Sequence, residues 1–484
     1  MSSRLARACL ASVAAAIALL AAVGAGSASS RARLVPCSFD AAWLCGDVRV
    51  PLDRAHPNRG TIPIAFYVHR HRSGKAAPRP IFATPGGPGG SGFEMSEFFD
   101  GTALAADRDI VLIDPRGSGR SQAIVCPDLQ NGWHGDAQYQ AAVAACGRQL
   151  GESADRYGSG DVAMDVDAVR QALGYDTFDY YAWSYGSVTE QAYAARFPEH
   201  LHALAIDAGM PATDPGHAWT WSFDVAHALP RIGALLCRRT NCSGDVPAAI
   251  SYLAAQLRAH PIVAQLGAAR VVVDEPELVN ILRFGGDQYQ MLDPQTIVGA
   301  AAALAHGDTD LLRNLALARP PCCENQGSVG ESSQGDSVAA FCNDMDFVWN
   351  RSDAVEIRRL KYHAAVAGLP KDAAAPFSIA GWNAFNGTDL CLEWPAPERF
   401  VPAVPAGADL SRVPAIIFSG DVDAVVSTEI TRRLLKVFPH AAFVSVAGAG
   451  HPTIGWRRDC VPGIAVHFFD TLHAGNTRCA SKPA

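Results

Sequence analysis

Basic runs are missing from this chain. Its 484 residues carry a formal net charge of −8, and only 18% of them are charged. No lysine or arginine cluster lines up into a stripe, so nucleic-acid binding has no electrostatic footing. Long apolar runs are equally scarce: after the first 28 residues no segment is long and apolar enough to cross a bilayer. No Cys-x-x-Cys pair stands with a matching His or Cys pair, which removes the usual zinc patterns. The glycine-rich stretch at 85–92 has neither a P-loop lysine nor dinucleotide spacing, which removes phosphate cradling. No internal repeat is evident, and no metal or cofactor is expected.

What is present points to an exported globular protein. Hydrophobic residues make up 49% of the chain, enough for a large core in one domain with an insertion, or in two to three domains. Arg4 and Arg7 precede an apolar run from Leu10 to Val23, and Ala25-Gly26-Ser27-Ala28 follows. That order predicts a secretory signal peptide over 1–28, cleaved after Ala25 or Ala28, with an uncleaved anchor as the competing reading. Once cleaved, the chain is expected outside the cell or on the envelope side, with no stable membrane insertion. Of 13 cysteines, Cys9 leaves with the signal and twelve remain, an even set that an oxidising compartment would pair. Local spacing favours Cys37–Cys45, Cys126–Cys146, Cys237–Cys242 and Cys460–Cys479. Spacing alone does not apportion Cys322, Cys323, Cys342 and Cys391.

The pattern of elements predicts an α/β fold. Val48–Leu52 and Ile62–His69 read as an antiparallel start. Pro80–Ala83, Asp109–Ile113, Leu204–Asp207, Val413–Ser419 and Ala442–Val446 are short apolar runs suited to strands, several of them covered on both faces. Asp161–Leu173 has helical spacing. Strands alternating with helices argue for a mainly parallel sheet flanked by helices. From 214 to 407 the chain turns helix-prone and holds six of the twelve cysteines. This stretch is too long for a structureless loop, so it is expected to be a mostly helical cap. The expected division is signal peptide 1–28, first part of the core 29–213, cap 214–407 and C-terminal part of the core 408–484.

The chemistry starts at Ala182-Trp183-Ser184-Tyr185-Gly186. An aromatic, strand-like approach precedes it and a helical stretch follows, the setting of a nucleophile elbow. A serine hydroxyl needs a base to take its proton, and the base needs an orienting acid. His451, in Gly448-Ala449-Gly450-His451-Pro452 after the last strand run, fits the base. Gly420-Asp421-Val422-Asp423 follows the preceding run and offers two carboxylates. Asp423 stands further into the loop and is preferred as the acid; Asp421 suits bonding of backbone N–H groups. Oxyanion donors are expected from the backbone N–H groups of Tyr185 and of Gly87, in the loop Pro85-Gly86-Gly87-Pro88-Gly89-Gly90-Ser91-Gly92. Asp114 and Arg116 read as structural supports of the adjacent loop. Ser184 at the elbow excludes the epoxide-hydrolase and dehalogenase chemistries, which need aspartate there.

These motifs, with Asp114-Pro115-Arg116-Gly117-Ser118-Gly119-Arg120-Ser121, resemble the tripeptidyl and prolyl aminopeptidase group of serine α/β-hydrolases. The Gly420–Asp423 loop, Gly450-His451 and Cys460 resemble that group's tripeptidyl-aminopeptidase-like C-terminal segment. The likeness covers roughly residues 35–215 and 405–480. It thins in the cap to Phe341-Cys342-Asn343-Asp344 and Cys391-Leu392-Glu393-Trp394, which imply a Cys342–Cys391 bridge. Three departures stand out: Ala182 for the first elbow glycine, Thr84 before the oxyanion loop, and Ala424-Val425-Val426-Ser427 where a proline-rich turn is usual. The resemblance implies an α/β-hydrolase fold and release of one to three residues from the amino end of a peptide substrate. The alternative is a secreted carboxylesterase or lipase with the same triad. A non-enzymatic binding protein is the third reading, disfavoured by the filled triad. An exopeptidase must recognise an ammonium group. Among the cap acids Glu324, Asp344, Asp346 and Glu393, the expected amine contacts are Asp344 and Glu393.

Overall fold

The computed structural model describes residues 32–71, 79–130, 137–213, 218–266, 269–286, 290–318, 328–387 and 389–483. The signal segment, Cys322, Cys323 and Glu324 lie outside them. The sheet opens with β1 (Val35–Pro36), β2 (Leu44–Pro51) and β3 (Thr61–His69), each antiparallel to the next. β4 (Ile81–Thr84), β5 (Ile110–Ile113), β6 (Phe178–Trp183) and β7 (Leu201–Asp207) follow. A separate antiparallel hairpin, β8 (Ile262–Leu266) with β9 (Ala269–Val273), interrupts the otherwise helical stretch that leads to β10 (Ala415–Gly420) and β11 (Ala442–Val446). The central sheet has nine strands in the order β1-β2-β3-β5-β4-β6-β7-β10-β11. From β5 to β11 every neighbouring pair is parallel. This is the α/β-hydrolase arrangement that the motifs imply.

The apolar runs form strands because both faces of the sheet are covered. β4, β5, β6 and β10 bury all of their residues. Successive side chains point to opposite faces, and the sequence obeys that period. Phe82, Tyr180, Ala182, Ile206 and Ile417 enter one core layer. Ile81, Ala83, Tyr181, Trp183, Ala205, Ile416 and Phe418 enter the other. Helix α1 (Ser159–Leu173) supplies Val162, Val166 and Val169 to the first layer. It ends at Gly174, whose left-handed backbone (φ 77°) lets its N–H close on the Arg170 carbonyl. α2 (Gly186–Ala194), directly after the elbow, packs on the same face.

Between β7 and β10 lie α3 (Ala218–Thr240), α4 (Glu275–Phe284), α5 (Gln334–Asp344), α6 (Ile379–Asn386) and further helices. Five disulfides close among the described residues: Cys37–Cys45, Cys126–Cys146, Cys237–Cys242, Cys342–Cys391 and Cys460–Cys479. Four follow local spacing, and Cys342–Cys391 is the one that the resemblance implies. Since parallel strands all end on one edge, the loops after β4, β5, β6, β7, β10 and β11 gather there, where open α/β sheets hold their ligands.

Candidate active site

Ser184 sits directly past the end of β6 with φ 54°, a left-handed backbone that a non-glycine residue adopts only under constraint. The constraint is crowding between strand and helix. A Cβ on Gly186 would stand 2.8 Å from the carbonyl oxygens of Thr84 and Pro85, and 3.1 Å from the Ala182 methyl. Glycine is therefore required at 186. The Ala182 methyl is itself accommodated, fully buried in the core layer on that face. This explains why the first elbow glycine can be replaced.

Further along the edge, between the loops after β10 and β11, His451 Nδ1 lies 2.8 Å from Asp423 Oδ2. The other oxygen of Asp423 accepts the backbone N–H groups of Val425 and Val426, each at 2.8 Å. Asp423 is buried and His451 nearly so, so the pair works in a poorly hydrated setting where hydrogen bonds gain strength. Asp421 takes a different task. It accepts the Gly448 N–H of the histidine loop at 2.9 Å and Arg239 of α3 at 2.9 and 2.5 Å. The structure thus brings Asp423, and not Asp421, to His451. Ser184 reaches the same edge, and no hydrogen bond joins its hydroxyl to the imidazole. In serine hydrolases without substrate this contact is often loose.

The link between Ser184 and the histidine loop runs through Asp207, which the sequence reading passed over as the end of a buried strand. Its backbone carbonyl accepts the Ser184 N–H at 3.0 Å. Its carboxylate accepts the N–H groups of Thr453 and Ile454, just past His451, at 2.9 Å each, and the Tyr181 hydroxyl at 2.9 Å. One fully buried residue therefore fixes both the elbow and the loop that carries His451. Burial pushes its carboxyl upward, and the donors oppose that push. A carboxylate closing an otherwise apolar strand run is the signal that could have exposed it.

Gly87 has φ 111°, a backbone open to glycine. Its loop is anchored by Asp114, the first residue after β5. Asp114 Oδ1 accepts the Ser91 hydroxyl at 2.9 Å and the Gly92 N–H at 2.7 Å. Oδ2 accepts the Tyr67 hydroxyl at 2.8 Å and the Arg120 N–H at 2.6 Å. Arg116 is equally structural in its bonds: its fork meets both oxygens of Asp165 on α1, at 2.7 and 2.9 Å.

Tyr185 is held from the side by Asp344 of α5, whose Oδ2 accepts the phenol at 2.9 Å. The same carboxylate accepts the Ser159 N–H at 2.8 and 3.0 Å and the Ser159 hydroxyl at 2.5 Å. Burial raises the Asp344 carboxyl to about 6 against these donors. Eight residues earlier on α5, Asp336 is also buried, its Oδ1 lacks a partner, and burial beside Asp344 pushes it well up. It faces a recess lined by Pro85, Gly86, Tyr157, Ser159 and Tyr185. Neither Ser184 nor His451 lines that recess. The two acids expected at a substrate amine are thus engaged elsewhere. Asp344 is occupied by Ser159 and Tyr185, and Glu393 is exposed in an ion pair with Arg359.

The Ser184 elbow, the His451 loop and the Gly87 loop share one edge of the sheet in this serine hydrolase of the α/β-hydrolase fold. Residues 79–232 match the family described as alpha/beta hydrolase fold, and residues 375–479 match the one described as TAP-like protein. The chain is 30% identical to the tripeptidyl aminopeptidase of Streptomyces lividans over 86% of its own length and 79% of that protein's. It is 31% identical to serine protease Hip1 of Mycobacterium tuberculosis over 36% of this chain and 37% of that one. It is 26% identical to a proline iminopeptidase of Neisseria meningitidis over 29% and 35% of the two chains. The protein belongs to this family of serine α/β-hydrolases, in the branch that carries the tripeptidyl-aminopeptidase-like C-terminal segment.

Proposed function

We propose that the protein is an exported serine peptidase that releases short amino-terminal units, one to three residues long, from peptides. Ser184 attacks the scissile carbonyl while His451 takes its proton, and Asp423 keeps the imidazole in the tautomer with Nε2 free to do so. The N–H groups of Gly87 and Tyr185 receive the oxyanion. His451 then returns the proton to the leaving amine, and water, activated by the same imidazole, frees Ser184 from the acyl-enzyme. The observation that carries this reading is the buried Asp423–His451 pair at 2.8 Å, tied through Asp207 to the elbow that presents Ser184.

Five disulfides support passage through an oxidising compartment. Among the described residues no helix is long and apolar enough to cross a membrane. The helical segment 214–407 acts as the cap that sets substrate length. A panel of amino-acyl, dipeptidyl and tripeptidyl anilides beside short nitrophenyl esters tests the assignment. Anilide cleavage from a free amino end, lost in Ser184→Ala, is the expected result. Ester turnover with no amide cleavage would reassign the site to a carboxylesterase.

A further inference from the structure

We infer that Arg283, on α4 of the helical segment, is a positioning residue for the Asp423 carboxylate, acting on it through two peptide groups; this rests on the triad reading above. Its Nε donates to the carbonyl of Ala424 at 2.9 Å and its Nη2 to the carbonyl of Val425 at 3.1 Å. Those carbonyls belong to the peptide groups whose N–H ends, on Val425 and Val426, donate to Asp423 Oδ1 at 2.8 Å each. One guanidinium therefore grips the outer ends of two peptide dipoles whose inner ends grip the triad acid. A cation at the carbonyl end polarises a peptide group and strengthens its N–H as a donor.

The fork is held in place. Arg283 is buried, its Nη1 donates to Asn386 Oδ1 of α6 at 3.2 Å, and its guanidinium lies 5.2, 5.4 and 5.9 Å from the rings of Phe284, Phe385 and Trp382. Three aromatic faces and an amide fix its plane, which favours arginine over lysine. The loop it holds is Ala424-Val425-Val426-Ser427, the departure from the proline-rich turn usual in the resembling family. A turn without proline's fixed backbone gains here an external clamp from the helical segment.

Steady-state kinetics on the best anilide, with the downfield proton resonance of the His451–Asp423 hydrogen bond as a second readout, test this. Arg283→Gln is expected to lower kcat by ~10–100-fold with little change in KM, since a misplaced catalytic group slows chemistry more than binding. It should also broaden or shift the downfield resonance. Arg283→Lys keeps the charge but cannot span both carbonyls, so it should fall between wild type and Gln; it also decides the matter if the Gln variant does not fold. Asp224→Asn, which removes a different contact of α3 with the body (Arg433 Nη2 at 2.8 Å), controls for loosening of the segment and should change kcat less than about twofold. Arg283 variants with wild-type kcat and resonance, or no worse than Asp224→Asn, would overturn the role. Turnover surviving in Asp423→Asn would instead sink the triad reading itself.

Discussion

Carboxylates in the sheet body and in the inserted helical segment serve different ends. Asp114, Asp207 and Asp423 stand at or just past strand ends of the body, all buried, and each is met by backbone N–H groups. For Asp207 those donors come from the loop past His451, and for Asp114 from the Gly87 loop and from its own. In Asp423 they come from its own loop, and the second oxygen is left for the imidazole. Backbone donors cannot rotate away, so these acids hold the loops of this edge in place. The helical segment turns buried acids toward the body as well, but on softer terms. Asp344 meets the backbone N–H of Ser159 alone, with the hydroxyls of Ser159 and Tyr185, and Asp336 leaves one oxygen unmet. Burial raises the carboxyls of Asp114 and Asp207 as it raises those of Asp336 and Asp344, so the two regions differ in the donors that hold their acids rather than in the direction of the shift.

The sharpest break of the body's machinery is Ser184→Ala. It should abolish labelling by a fluorophosphonate probe and lower kcat on the best anilide by ~10⁴-fold or more, since triad members act as a unit. Next comes Asp207→Asn. The amide keeps the shape but offers one acceptor oxygen where two are used, so kcat should fall by ~10–100-fold. Denaturant unfolding should show a loss of about 3 kcal/mol, from buried N–H groups left unpaired.

Asp344→Asn sharpens the comparison from the other side. The Asp344 carboxyl is raised from the ordinary 3.8 to about 6, so the folded state binds its proton more tightly than the unfolded chain does. Its contribution is fully present below pH 3.8 and is lost as pH rises through 6, a swing of up to about 3 kcal/mol. Thermal melts of wild type against the Asn variant between pH 3.8 and 7 should show that swing only in the wild type; parallel curves would contradict it. The smallest effect is expected from Glu393→Gln. Its exposed ion pair with Arg359 should contribute under about 1 kcal/mol, and preference for free over blocked amino ends should not move. A lost preference would restore Glu393 as an amine contact.

Much of the body was legible because its signals are local. β4, β5, β7, β10 and β11 show as short apolar runs, and the elbow shows as small residues bracketing Ser184. Place in the loop alone favoured Asp423 over Asp421, and it is Asp423 that lies 2.8 Å from His451. Four disulfides lay within short sequence spans. What escaped is non-local. Asp207 meets Thr453 and Arg283 meets Ala424 across long loops, and no periodicity encodes such pairs. The β8–β9 hairpin escaped because its ten strand residues sit in a stretch dominated by helical spacing. The partners of Asp344 escaped too: nothing in the sequence around it shows that Ser159 and Tyr185 fold against it.

The most direct measurement is the crystal structure of the protein after reaction with a fluorophosphonate. Phosphorus bonded to Ser184 Oγ, a phosphoryl oxygen accepting from the Gly87 and Tyr185 N–H groups, and His451 still paired with Asp423 is the predicted result. An adduct on another residue, or one whose phosphoryl oxygen points away from both N–H groups, would contradict it.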